Sequence, residues 1–152
     1  MLTRAITRTL TGSFAALLVT FLVIYGAPQY ATDVAIIEGE MVTTARWLAA
    51  NTEPDDLIAV HDIGAIGYYA RRPMLDLAGL ISPEVIPFIR DEMALLDWMQ
   101  EQGAVYLVTF PDWYSVMTSD PRVELIFQTD SSVTIEQGHE NMAVYILNWQ
   151  EQ

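Results

Sequence analysis

The densest group of side chains able to do chemistry is His61-Asp62, followed by Tyr68 and Asp76. An imidazole between two carboxylates suits proton transfer, recognition of a polar ligand, or binding of a divalent ion. The spacing matches no dedicated metal motif, and two carboxylates beside one histidine commonly form a hydrogen-bonded cluster, so no metal ligand is assigned. Asp62 with Gly64-x-x-Gly67 follows an apolar run and opens a helical one, the setting of a dinucleotide fingerprint. Asp62, however, occupies the position of the fingerprint's first glycine, and a carboxylate there opposes a pyrophosphate. No nucleotide and no other cofactor is therefore expected. Asp62 reads instead as a helix cap, and the glycines as places of close packing or positive φ. The competing reading is a polar ligand site in which His61, Asp62, Tyr68 and Asp76 converge at the C-terminal ends of strands, where open α/β sheets take their ligands. Trp113 and Tyr114, after Pro111-Asp112, are aromatic candidates for stacking on a sugar or for a membrane interface, with packing on a sheet as the plainer alternative. His139 lies in a polar stretch and reads as solvated. A Ser/His/Asp set lacks a Gly-x-Ser-x-Gly elbow to present its serine, and no catalytic residue is assigned.

A small α/β domain must position these groups. Val34, Ile37, Met41, Ala45 and Leu48 recur at helical spacing and predict an amphipathic helix that stops before Asn51-Thr-Glu-Pro54. Leu57–Val60 reads as a buried strand, Gly64–Ala70 as two turns of helix capped by Asp62, and Met74–Leu77 as a second strand closed by Ala78-Gly79. Ser82-Pro83 turns into a helix marked by Ile89, Met93, Leu96 and Met99, with Gly103 at its stop. Ala104–Phe110, Val123–Gln128 and Met142–Trp149 read as strands, the last two joined by a long hairpin loop, Thr129–Asn141. Alternating strands and helices predict an α/β, three-layer domain over 33–152. Its sheet is expected to have about five strands, mostly parallel, with an antiparallel hairpin at one edge. Asp62 and Asp76 are then expected to be mainly architectural, accepting backbone N–H bonds at a helix start and a turn.

What precedes the domain has a different character. All 20 acidic residues and five of the seven arginines lie in 33–152, a net charge of −15, whereas residues 1–32 carry only Arg4 and Arg8. So acidic a surface repels phosphate backbones and excludes nucleic acid as a favoured partner. The chain has no cysteine, hence no disulfide, thiolate metal site or thiol nucleophile. Residues 10–27 are uncharged and apolar, and at about 1.5 Å per residue they span roughly 27 Å, near the thickness of a bilayer's hydrocarbon. Arg4 and Arg8 before this span put the N-terminus in the cytoplasm and the domain outside the cell membrane as a single-pass protein. Cleavage as a signal peptide is the rival. It is disfavoured because cleavage after Ala27 or Ala31 would place the bulky Tyr25 or Gln29 where a small residue is preferred.

The stretch His61-Asp-Ile-Gly-Ala-Ile-Gly-Tyr-Tyr69, followed by Asp76-Leu-Ala-Gly-Leu80 and Ser82-Pro83, resembles a motif pair in integral-membrane glycosyltransferases. These multi-spanning enzymes use polyprenyl-phosphate sugars and form the C-type superfamily. The resemblance is to the small extracytoplasmic domain after their last membrane helix and runs from about Val19 to Trp113, including the Tyr106–Tyr114 strand and turn. Such enzymes have eight or more membrane helices, with catalytic acids in an extracytoplasmic loop near the chain start. This sequence has one such helix and nothing matching that loop, so the resemblance implies an accessory domain or fragment, inactive alone. The multi-helix part of a glycosyltransferase and a glycan acceptor are its implied partners, beside the bilayer itself. The alternative is a single-span anchored binding domain with no enzymatic role. Neither reading identifies the sugar or the acceptor.

Overall fold

The computed structural model describes residues 2–149. Its contacts divide the chain into two compact units, one ending at Ala35 and the other beginning at Ile36. The first contains α1 (Leu2–Phe21), a π turn over Leu22–Gly26, and α2 (Ala27–Ile36) up to Ala35. Pro28 explains the widened turn. It has no N–H to donate, and its ring would meet the carbonyl four residues back, so the Ala27 N–H reaches instead to the carbonyl of Leu22. No residue of α1 is buried, and Leu10, Phe14, Leu18 and Ile24 are each more than half exposed. Helical backbone satisfies its own hydrogen bonds, and apolar side chains on every side suit hydrocarbon better than water. By length and composition this N-terminal helical run is able to cross a membrane, as an anchor or as a signal sequence.

The second unit begins with another π turn, Ile37–Val42, and α3 (Thr43–Asn51). There follow β1 (Ile58–Val60), α4 (Ile63–Ala70), β2 (Met74–Asp76), α5 (Glu92–Gln102), β3 (Tyr106–Thr109), β4 (Val123–Gln128), α6 (Ser132–Glu136) and β5 (Ala143–Leu147). The strands make one open sheet in the order β2-β1-β3-β5-β4. Both neighbours of β1 are parallel to it, with Val60 beside Asp76 on one side and Val108 on the other. β5 runs antiparallel to both β3 and β4. The expected predominance of parallel pairing is therefore corrected: parallel and antiparallel pairings are equal in number. The cause lies in the connections. Helices α4 and α5 supply crossovers in the first half, whereas the segment after β4 turns back and brings β5 alongside it antiparallel.

Successive strand residues alternate between two cores, as a pleat requires. Ala59, Leu107 and Tyr145 pack with Leu95, Leu96 and Met99 of α5. Ile58, Val60, Val108 and Val144 pack with Ala45 and Leu48 of α3 and Ile66 and Ala70 of α4. Leu48, Ile66 and Leu96 are fully buried, each contributing about 1.5–3 kcal/mol of apolar transfer. At Gly67 a Cβ would lie 2.6 Å from Met74 Cε, so the Met74 side chain folds over the space that the glycine leaves.

Three local expectations are corrected. The helix marked from Ile89 is two elements: a 3-10 stretch, Pro83–Phe88, and then α5, capped by the Asp91 carboxylate on Ala94 N–H at 3.0 Å. Pro87 lies inside the first, where its missing N–H cannot serve the longer-range bonds of an α-helix. The long Thr129–Asn141 loop contains α6, turned out of its helix at Gly138 with φ of 84°. Of the single stripe read across Val34–Leu48, only Ala45 and Leu48 are buried; Val34 and Ile37 are exposed, and the π turn over Ile37–Val42 breaks the 3.6-residue period on which the stripe rests.

That π turn holds a carboxylate unforeseen from the sequence. Glu40 is fully buried and accepts from Thr129 Oγ1, from Asn141 Nδ2 at 2.8 Å and from Met142 N–H at 2.9 Å. Gly39 beside it permits the approach, since a Cβ there would stand 3.1 Å from Ser131 Oγ. Three donors on one carboxylate satisfy a charge that burial would otherwise penalise heavily.

Candidate functional site

The strand order makes a crevice. The chain leaves β1 toward β2 on one side and later returns to β3 on the other, so the C-terminal ends of β1 and β3 diverge. This is the switch point where open α/β sheets bind ligands. An open cleft of about 510 Å³ lies there, lined by His61, Ile89, Arg90, Glu92, Trp113 and Tyr114. His61 is the first residue past β1, and Trp113 and Tyr114 come from the 3-10 turn that Pro111 starts beyond β3.

The aromatic and imidazole groups form one assembly. Tyr114 Oη lies 2.7 Å from His61 Nδ1, and the Trp113 ring meets the imidazole edge-on at 4.8 Å between centroids. Burial pushes the Tyr114 hydroxyl up to about 12, helped by the charges of Glu92 and Asp76, so it stays protonated at neutral pH. Burial also lowers the His61 pKa, against the raising influence of Asp76 and Asp62, which favours the neutral ring. The phenol and Nδ1 share one hydrogen bond, and the other ring nitrogen, Nε2, is left for a further partner. Glu92, at the first turn of α5, accepts from Val116 N–H at 2.9 Å and Met117 N–H at 2.7 Å, and so fixes the loop that carries the aromatics.

The two carboxylates singled out by sequence are both engaged with backbone. Asp62 caps α4, its Oδ1 accepting from Gly64 N–H at 3.1 Å. Asp76 is fully buried and accepts from Ala78 N–H at 2.8 Å and Ile81 N–H at 2.7 Å, closing a turn in which Gly79 takes φ of 77°. Asp76 reaches the cleft only through its field on His61 and Tyr114. Tyr68 is not among the side chains that line the cleft. It lies 71% exposed on α4, edge-on to Tyr69, more than a turn of helix away from the Asp62 cap. The cleft instead unites His61 with Trp113 and Tyr114, read from sequence as separate candidates. Ile89, Arg90 and Glu92 escaped that reading. The available signal was Asp91-Glu92, an acidic pair at the start of α5, which fixes where that helix begins beside the cleft. Among the described residues no three His, Asp or Glu side chains form a group able to hold a metal ion.

Fold and site together define a class: an open mixed α/β domain, next in sequence to an apolar helix, with an aromatic cleft at its switch point. A family model matches residues 26–146, and the chain belongs to that family, described as "Domain of unknown function (DUF8728)". No curated protein and no solved structure matches the chain.

Proposed function

We propose that this chain is the non-catalytic, carbohydrate-recognising domain of a membrane glycosyltransferase that uses lipid-linked sugar donors. Residues 10–27 hold it in the bilayer with the N-terminus in the cytoplasm. The domain stands outside as three layers, α5 on one face of the sheet and α3 with α4 on the other. The observation that carries the binding reading is the state of the polar groups around the cleft. His61 Nδ1 is taken by Tyr114 and each Asp76 oxygen by a backbone N–H, while Glu92 uses Oε2 for the two N–H groups that fix the Val116–Met117 loop, so only Glu92 keeps an unpaired oxygen, on a carboxylate already engaged as a loop anchor. A general base needs a free lone pair aimed at the proton it removes. Recognition asks less: the half-exposed Trp113 indole offers an apolar face to sugar C–H groups, with His61 Nε2 and the exposed Arg90 as polar partners beside it. The acidic surface favours a neutral glycan acceptor over a phosphorylated donor. The likeness of His61–Tyr69 and Asp76–Leu80 to the glycosyltransferase domain supplies the enzyme class.

The test is titration of the full chain in nanodiscs with neutral oligosaccharides, read by tryptophan emission. Saturable binding is expected, weakened about 3–10-fold in Trp113→Ala, the worth of one aromatic contact. Sugar transfer from a polyprenyl-phosphate donor by the chain alone, or binding indifferent to Trp113, would overturn the reading.

A further inference from the structure

Glu92 uses its carboxylate unevenly. The two N–H groups it accepts, from Val116 at 2.9 Å and Met117 at 2.7 Å, both fall on Oε2. Among the described residues Oε1 has no hydrogen-bond partner. Nor is it shut away. The side-chain oxygens and nitrogens that are both unpaired and beyond the reach of solvent are Thr44 Oγ1 and Thr134 Oγ1 among the described residues, so Oε1 of the half-exposed Glu92 is open. Glu92 lines the 510 Å³ cleft, and its two bonds to the loop hold the carboxylate in one orientation. A fixed, open acceptor thus stands in the cleft that also contains Trp113.

Few ligand chemistries suit it. One carboxylate oxygen does not hold a metal ion, which needs several ligands, and no group of three His, Asp or Glu occurs among the described residues. Arg90 lines the same cleft, exposed, and takes no part in the ion pairs of the described residues. Its guanidinium opposes a cationic ligand, and the Glu92 charge opposes an anionic one. A neutral ligand that sets an O–H donor beside an oxygen acceptor satisfies both. Adjacent hydroxyls on a sugar ring are such a pair.

We propose that Glu92 is the specificity-determining residue of the cleft: Oε1 accepts the O–H of one sugar hydroxyl, Arg90 donates to the oxygen of its neighbour, and the ligand is a neutral glycan with two adjacent free hydroxyls on the ring that stacks on Trp113. This rests on the carbohydrate reading of the cleft and adds which glycans are refused. A ring methylated at that pair covers the carboxylate oxygen without giving it a donor. Sites built around a substrate hydroxyl reject analogues lacking it for this reason, more strongly than apolar pockets reject a change of size.

The experiment titrates cellotetraose, mannotetraose and maltotetraose, each beside its per-O-methylated form, into the full chain in nanodiscs, read by tryptophan emission. Glu92→Gln is the deciding variant. Its amide oxygen can accept both loop N–H groups, while the open position becomes an NH2 donor. Amide resonances of Val116 and Met117 report whether the loop keeps its anchor. At least one free tetrasaccharide is expected to bind saturably, with its methylated form about 10-fold or more weaker, the scale of a hydrogen bond to a charged group. Glu92→Gln should weaken the free sugar to a similar extent and the methylated form little, with both amides in place. Arg90→Ala, at an exposed side chain that anchors no loop, should weaken the free sugar about 3–10-fold. If Glu92→Gln moves the two amides, the preference of the wild type for free sugar and the loss in Arg90→Ala decide. Trp113-dependent binding that is equal in wild type and Glu92→Gln, or equal for free and methylated sugars, would overturn the role of Glu92 and leave the carbohydrate reading standing. Binding of none of the tetrasaccharides would overturn both.

Discussion

Glu40 and Asp76 are both fully buried carboxylates that accept backbone N–H bonds, yet they organise the chain over different distances. Asp76 closes its own turn, reaching two and five residues ahead to Ala78 and Ile81. Glu40 joins the π turn to Thr129, Asn141 and Met142, about a hundred residues away in sequence. A local carboxylate sets the shape of a loop that the strands around it already constrain. A distant one decides whether two elements meet. Removing Asp76 leaves a poorer turn, whereas removing Glu40 leaves the buried Met142 N–H without an acceptor and Thr129 and Asn141 with only their second ones, the Met142 and Ser131 carbonyls.

The comparison fails if the distant contact proves the cheaper. Glu40→Ala is expected to be the most damaging, at about 3–4 kcal/mol, because the Met142 N–H loses its acceptor, Thr129 and Asn141 each lose one of two, and a cavity is left where the side chain was. All four tryptophans, Trp47, Trp98, Trp113 and Trp149, lie in the second unit, so urea unfolding followed by their emission reports that unit alone. Glu40→Gln should recover less than half the loss, since its amide end sets a donor against donors. Asp76→Ala comes next, at about 2 kcal/mol, two charge-assisted bonds being lost in a turn of few residues. Amide exchange should quicken over residues 77–82 and little elsewhere; exchange quickening throughout the sheet would break the distinction. The smallest effect is at Asp62, a half-exposed cap: about 1 kcal/mol for Asp62→Ala and close to none for Asp62→Asn, which can still cap. Equal melting temperatures for the wild type and both variants would show that the cap contributes nothing.

The same contrast separates what the sequence discloses from what it conceals. Asp62 and Asp76 are legible because a short carboxylate before a helix or a turn bonds within a few residues, and that pattern is local. Gly103, at φ of 76° in the C-cap of α5, is legible for the same reason. The five strands stand out by apolar runs, to within a residue or two. Glu40 is invisible: an acid in an amphipathic helix reads as solvated, and only the π turn, which no periodicity announces, turns it inward. The sheet's mixed pairing is equally hidden, because a strand's composition does not state its direction. At the site, His61, Trp113 and Tyr114 are recognisable as residue types. Their meeting depends on β1 and β3 being neighbours, which is a property of strand order. Tyr68 misleads because nearness in sequence to Asp62 stands in for nearness in space, and α4 carries it off to the exposed side.

The two ends of the sheet bear on how this protein behaves in the company of its own copies. A bare strand edge invites another strand, and long flat edges seed aggregates. β2 is only three residues long and offers little to pair with. β4 is twice that length, and Leu125 and Ile126 are exposed on it, the kind of edge that recruits a neighbour. Its pairing with β5 slips by a residue between Leu125 and Phe127, a bulge that bends the strand midway and spoils the flat template. With Glu124 beside the bulge and a net charge of −13 keeping copies apart, the longer edge is defended by shape and by repulsion together. Straightening β4 by deleting Ile126 would remove the first of these defences while leaving the hairpin's composition almost unchanged.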